Sequence, residues 1–323
     1  MTPRPRLRRA ALATALLLAL SGCAAHASAS SPDATARPTS VVNCGRTLSF
    51  PHSPHRIVSL WPAITEMLLS LGAHDRVVGQ AFTDQSEPLP GYAKAYNTIP
   101  VLSKDAVNEE TLISAKPDLV VADGEYHFDG KELPTIAQLK TLGIQVYVIS
   151  SFCHGSVTTG HVADAQTDLT ALGTLLGAAP RADELVAKQK SDLAAVTNRV
   201  AHTSATPLAV IQFYDGALYA DARGLYSDVV TTAGGKNVYD ADLPTGAYYA
   251  QVSVEDFLTK NPATIVYLYN SESDRAAQLD SIRKLLPTVA AVQQNQLIAL
   301  PSTSFIGSRA VDGTVALAKS LHG

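Results

Sequence analysis

The chain reads as an α/β protein of two similar lobes, each built on a largely parallel sheet, joined by one long helix with a ligand cleft between them. Three observations carry that expectation. Apolar β runs alternate with helical segments of roughly ten residues in both halves, the pattern of parallel sheets covered on both faces. One strand-free helical stretch separates the halves. Residues 107–121, Val-Asn-Glu-Glu-Thr-Leu-Ile-Ser-Ala-Lys-Pro-Asp-Leu-Val-Val, are matched without a gap by residues 252–266, Val-Ser-Val-Glu-Asp-Phe-Leu-Thr-Lys-Asn-Pro-Ala-Thr-Ile-Val. Each copy is a short helix, a proline stop and an apolar β run, and each places an acid, Glu110 or Glu255, seven residues before its proline.

The elements follow in order. Arg4, Arg6, Arg8 and Arg9 precede an apolar run from Ala10 to Leu20, too short to span a bilayer, so residues 1–22 read as a targeting segment. Its end, Leu20-Ser21-Gly22-Cys23, resembles a bacterial lipoprotein cleavage box that would leave Cys23 lipidated; an ordinary secretory signal with an incidental cysteine is the alternative. Residues 23–42, rich in Ala, Ser, Thr and Pro, are expected to form a flexible tether. The N-terminal lobe is expected over 43–178. It opens with the β run Arg56–Trp61, a helix from Pro62 to Leu71 stopped by Gly72, and an extended Val77-Val78-Gly79. The first repeat copy then supplies a helix and the strand Asp118–Ala122, followed by an amphipathic helix Glu132–Leu142 and the strand Ile144–Ser150. Pro180 opens a long helix within the connector 179–203, which resists bending, so the lobes should move little on ligand binding. In the C-terminal lobe, 204–323, the alternation resumes with Pro207–Phe213, Leu225–Ala233, Asn237–Tyr239, the second repeat copy, Gln296–Leu300 and a last helix from about Ser308 to Leu321.

The formal net charge is −4, and removing the four signal arginines makes it −8 for the remainder. That argues against nucleic acid and against a polybasic membrane surface as partners. Beyond Cys23 only Cys44 and Cys153 remain. In an oxidising compartment such a pair is most simply a disulfide, with two unpaired buried thiols as the alternative. Gly-x-Ser-x-Gly, a phosphate-cradling glycine loop and a carboxylate dyad are all missing from the sequence, which disfavours an enzyme. His127, His154 and His161 flank Cys153 without a zinc-type spacing, so no bare metal site is expected.

The motifs Asn43-Cys44-Gly45-Arg46, Pro54-His55-Arg56-Ile57-Val58-Ser59-Leu60, Thr65-Glu66, Leu71-Gly72, Lys116-Pro117-Asp118-Leu119-Val120, Leu142-Gly143-Ile144, Ala233-Gly234-Gly235-Lys236-Asn237-Val238 and Val252-Ser253-Val254-Glu255 stand in one order along the chain. Together they resemble the substrate-binding lipoproteins of ABC importers for iron-siderophores, cobalamin and haem, over essentially the whole mature chain. The resemblance implies two Rossmann-like lobes joined by a single helix and no catalysis. It also implies a lipid-anchored, monomeric protein on the extracytoplasmic face of the cell membrane, partnered by a permease dimer with cytoplasmic ATPases. It gives Glu110 and Glu255 the role of docking acids, one per lobe, that meet arginine pockets of the permease. A first-turn acid favoured by the helix dipole is the plainer reading of both. Ser253 with Asp256 looks like a capping box that leaves Glu255 free.

Aromatic residues after strand ends suggest the lining of the cleft, because α/β sheets bind ligands there. Trp61, the single tryptophan, follows the first strand, Phe82 the next, and Tyr126 lies in Glu125-Tyr126-His127-Phe128 after the third. In the second lobe Tyr214 and Tyr219 follow Pro207–Phe213, Tyr248 and Tyr249 precede the second repeat, and Arg309 opens the last helix as a partner for an anionic chelate, with Arg223 a weaker candidate. By motif position Phe82, Tyr219, Tyr249 and Arg309 resemble ligand contacts of the family. Highly anionic catecholates call for several cleft bases in that family, and few stand here. The expected ligand is therefore a ferric siderophore that is neutral or weakly charged, such as a hydroxamate, with cobalamin or haem as the alternative and no resident cofactor. A metal chaperone or enzyme on the same two-lobed fold is the remote alternative.

Overall fold

The computed structural model describes residues 38–155 and 157–323; the targeting segment, Cys23 and residues 23–37 of the expected tether lie outside the described residues. The rest of that tether is not a tether. Thr39–Asn43 is strand β1, paired antiparallel with β2, Arg46–Phe50. Cys44 and Gly45 form the turn with φ of 48° and 72°, the two-residue geometry that matches strand twist. The amide of the buried Asn43 donates to the Val148 carbonyl at 2.7 Å, which anchors the hairpin to the first sheet. Cys44 and Cys153 form the expected disulfide, with Cα atoms 5.4 Å apart.

The first sheet has four parallel strands, β3 (Ile57–Leu60), β4 (Val77–Gln80), β5 (Leu119–Ala122) and β6 (Gln145–Val148), in the order β4-β3-β5-β6. Its helices are α1 (Pro62–Ser70), α2 (Ala93–Tyr96), α3 (Glu109–Ser114), α4 (Ile136–Thr141) and α5 (Asp164–Leu175). Helix α4 is shorter than expected because Thr135, after Pro134, forms a capping box with Gln138 and sets its start there. Helix α6, Ala179–Val200, then runs 22 residues, roughly 33 Å, into the second half. It packs closely on α5, where a Cβ on Gly173 would lie 2.4 Å from that of Ala182.

The second sheet is mixed. Strands β7 (Thr206–Tyr214), β9 (Gly235–Asn237), β11 (Thr264–Tyr269) and β12 (Leu297–Pro301) are parallel, whereas β8 (Ala217–Asp221) runs antiparallel to both β7 and the short edge strand β10 (Tyr249–Gln251). The sheet is thus largely parallel, as expected, with an antiparallel edge. Asp215-Gly216, with φ of 48° and 76°, makes a tight hairpin that returns the chain at once. Helices α7 (Gly224–Thr232), α8 (Val254–Lys260), α9 (Glu272–Leu285), α10 (Ala290–Gln293) and α11 (Arg309–His322) complete this half.

The repeat is structural. Asn108 and Ser253 cap α3 and α8 by accepting from Thr111 N–H and Asp256 N–H at 2.9 and 3.0 Å. Leu112 and Phe257 are each fully buried beneath their helix, and Lys116 and Asn261 end it with φ of 49° and 42° before the prolines. The following strands, β5 and β11, each lie between two parallel neighbours. The main apolar core is shared: Ile64 and Met67 of α1 belong to one buried cluster with Phe305, Ile306, Leu317 and Val196. Smaller cores lie on the outer face of each sheet. A core continuous between the lobes opposes hinge motion, because opening would expose apolar surface.

Candidate functional site

The four parallel strands of the first sheet all deliver rings from their C-terminal ends. Trp61 follows β3, Phe82 follows β4, Asp123 to His127 follow β5, and Phe152 follows β6. Four rings from three of these strand ends join in a row, with centroids 5.4 Å apart for Trp61 and Phe82, 4.8 Å for Phe82 and His127, and 4.3 Å for His127 and Tyr126. Phe82 holds a left-handed backbone, φ 59°, unusual for a bulky side chain and an indication of strain kept at a working site. Beneath the row the buried Asp123 accepts from the Tyr126 hydroxyl and pairs with His127 Nε2 at 2.7 Å. The Tyr126 ring is 51% exposed, but its hydroxyl end turns inward to Asp123; desolvation there first, and then the Asp123 charge, push the phenol above its ordinary range, so it stays a donor.

The second lobe presents its own rings. Tyr248 stacks on Tyr226 at 5.9 Å, Tyr226 on Phe305 at 4.9 Å, and Tyr248 neighbours Tyr249 at 5.1 Å, which in turn lies 6.2 Å from Tyr219. Phe152 crosses from the first lobe to meet Tyr248 edge-on at 5.4 Å. Burial raises the Tyr226 and Tyr248 phenols, and the Phe152–Tyr248 contact joins the two aromatic sets. The walls offer π faces, neutral hydroxyls and one imidazole. Among the described residues no group of three or more His, Cys, Asp or Glu is placed to hold a bare metal ion.

Two polar seams flank the rings. At one, Arg309 of α11 donates through Nε to Glu66 of α1 at 2.6 Å and bonds the other carboxylate oxygen with a terminal nitrogen. It also donates to Ser86, Thr303 and the Glu87 carbonyl, and both side chains of the ion pair are about 95% buried at 5% and 4% exposure. At the other, Asp228 of α7 accepts from Val162 N–H at 2.7 Å and pairs with His161 Nδ1 at 3.1 Å. Glu110 and Glu255 are exposed in the first turns of α3 and α8. Asp256 does not complete a capping box with Ser253; its carboxylate accepts from the Tyr239 hydroxyl at 3.0 Å. A surface groove of about 740 Å³ runs beside Glu110, lined by Val107, Glu109, Ile113 and Lys131.

A family model described as periplasmic binding protein matches residues 57–303. The chain belongs to that family. An uncharacterised ABC transporter substrate-binding lipoprotein, YvrC of Bacillus subtilis (strain 168), is 30% identical over 194 residues, 58% of this chain and 57% of that protein. The chain thus aligns with little more than half the length of that relative. The vitamin B12-binding protein of Yersinia pestis (strain Pestoides F) is 26% identical over 230 residues, 70% of this chain and 72% of the relative. Among solved structures, that of an ABC-type Fe3+-hydroxamate transport system from Saccharomonospora viridis DSM 43017 superposes with a TM-score of 0.74 at 26% identity, covering 89% of this chain and all of that one.

Of the residues singled out in sequence, Trp61, Phe82 and Tyr126 stand together in one ring row, and Tyr219 and Tyr249 pair in the other. Tyr214 is outside both, 67% exposed at the tip of the β7–β8 hairpin. Arg309 requires correction. It lies in the interior with its donors committed to Glu66, Ser86, Thr303 and Glu87, so it does not face a ligand. Asp123, Phe152, Tyr226 and Phe305 were not singled out as ligand contacts. An acid directly after a wholly apolar strand was the available sign for Asp123, since an acid buried there has to be paired.

Proposed function

We propose that this family member captures a bulky metal chelate outside the cytoplasmic membrane and hands it to an ABC permease, and that the chelate is a ferric siderophore of hydroxamate type. The observation that carries this reading is the meeting of two aromatic walls from opposite lobes over a buried Asp123–His127 pair. Such walls suit a large, weakly charged ligand held by faces and a few hydrogen bonds. The two arginines that could have met an anionic catecholate, Arg309 and Arg223, turn their guanidinium groups to the protein itself. Cobalamin is the second reading, supported by the vitamin B12-binding relative, and haem is a third on the strength of His127.

The working cycle in this reading is binding without chemistry. Residues 43–178 and 204–323 act as the two lobes around the ligand, the connector 179–203 and the shared core limit their motion, and a lipid on Cys23 keeps the monomer at the membrane. Glu110 and Glu255 then dock one lobe on each permease subunit through charge-assisted bonds to arginines. ATP hydrolysis on the cytoplasmic side drives release.

The sole tryptophan makes the test direct. The soluble protein is titrated with ferrichrome, ferrioxamine B, ferric enterobactin, cyanocobalamin and haemin while Trp61 fluorescence is followed. Saturable quenching by a ferric hydroxamate at submicromolar concentration is the expected result. Quenching by cyanocobalamin or haemin alone moves the assignment, and silence from all five in calorimetry as well removes it.

A further inference from the structure

We propose that Arg223 is a positioning residue: it holds the loop 240–247 so that Tyr248 and Tyr249 stand at the cleft. The proposal rests on the reading of those rings as a ligand wall. It concerns a side chain whose charge meets neither a ligand nor an ion-paired carboxylate.

The geometry is specific. Arg223 stands between β8 and α7 with φ 63° and ψ 171°, a backbone region that side-chain-bearing residues rarely occupy. Gly224 follows with φ 47°, and a Cβ there would lie 2.3 Å from the Val157 carbonyl oxygen, so the turn is pressed against a segment of the first lobe. The guanidinium faces one loop only. Its Nε donates to the Asp240 carbonyl at 3.0 Å, one terminal nitrogen donates to the Pro244 and Ala247 carbonyls at 2.6 and 3.3 Å, and the other donates to the Leu243 carbonyl. The same turn grips the loop twice more. Arg223 N–H donates to the Asp240 carboxylate at 3.4 Å, and the Ser227 hydroxyl, which accepts from the same N–H at 2.5 Å, donates to that carboxylate.

Besides the arginine, the loop is tied to α8 by the part-exposed Lys260–Asp242 ion pair at 2.6 Å. Residues 241–248 contain no helix or strand, and Leu243 alone among them is buried. Its exit is fixed beside the arginine, because Ala222 N–H donates to the Tyr248 carbonyl at 2.8 Å. A planar fork can meet several carbonyls in one plane at once; a lysine ammonium cannot reproduce that arrangement. Removing the fork leaves carbonyls that water can reach in an exposed loop, so the consequence is local loosening of residues 240–249 rather than loss of the fold.

The test is amide hydrogen exchange on the ligand-free wild type, Arg223→Met and Arg223→Lys, with affinity measured alongside for whichever of ferrichrome, ferrioxamine B or cyanocobalamin the wild type binds. Exchange across 240–249 is expected to rise about tenfold or more in Arg223→Met while α8 and β11 stay protected, with Arg223→Lys intermediate. Affinity should fall in the same order, and partial rescue by lysine separates positioning from bulk packing. Unchanged exchange in Arg223→Met overturns the proposal, and so does faster exchange with full affinity. If Arg223→Met does not fold, Arg223→Lys decides: wild-type exchange and affinity in it also overturn the proposal. Exchange needs no ligand, so a wild type that binds none of the probes counts against the proposed function while the loop measurement still decides on Arg223.

Discussion

Replacing Glu66 by Gln should destabilise this protein more than almost any other isosteric change. Glutamine keeps the shape of the side chain and can still accept from Leu89 N–H, which reaches the carboxylate at 2.6 Å. It removes the counter-charge from a guanidinium whose side chain is 5% exposed, in a pair that spans 243 positions of the sequence and joins α1 to α11. Breaking one partner of such a pair leaves an uncompensated buried charge and costs about 3–5 kcal/mol. For a folded region of this size the unfolding entropy is about 0.6 kcal/mol/K, so Tm should fall by roughly 5–8 °C. Arg309→Leu should lose a similar amount by stranding the carboxylate. The double substitution Glu66→Leu with Arg309→Leu should recover most of the loss, since an apolar pair of fitting volume replaces both charges together. Calorimetry and urea unfolding of the four proteins measure this, and the loss should be insensitive to added salt because the pair is dry. A cost below about 1 kcal/mol for Glu66→Gln, or single losses that simply add in the double variant, refutes the reasoning.

Three further outcomes are expected. Cys44 and Cys153 close a loop of 109 positions, so Cys44→Ser with Cys153→Ser, or a strong reductant, should remove about 4–5 kcal/mol of stability in the chain-entropy view, read as a lowered urea midpoint. Burial raises the Asp221 carboxyl to about 7, with only the Gln212 amide as a stabilising donor. Its folded value lies above its unfolded one, so the folded state binds more protons between about pH 4 and 7 and Asp221 makes the protein less stable as pH rises through that window. Asp221→Asn should flatten this slope in Tm measured from pH 4.5 to 8, and an unchanged slope assigns it elsewhere. Glu110→Ala with Glu255→Ala should abolish uptake in cells while ligand affinity in solution stays at the wild-type value; retained uptake removes the docking role.

Several features were legible in the residues because they depend on local order alone. The repeat at 107–121 and 252–266 fixes a cap, a buried apolar residue, a left-handed stop and a strand, all within fifteen positions. The twenty-two-residue helix α6 and the two cysteines that find each other were legible for similar reasons of pattern and count. The antiparallel hairpin could have been read as well, because Asp215-Gly216 between apolar runs is a strong turn signal.

Chain order by itself therefore determined the β/α alternation, the internal duplication and the placing of Trp61, Phe82 and Tyr126 after strand ends. Only the tertiary structure decided which polar and aromatic groups face one another. Arg309 looked free until Glu66, Ser86 and Thr303 closed around it, and Tyr248 gained its role from Phe152 and Tyr226, neither of them near it in sequence. Local propensity acts over a few residues through backbone sterics and hydrogen bonds, whereas the state of a charge or a ring depends on what burial brings against it from elsewhere in the chain.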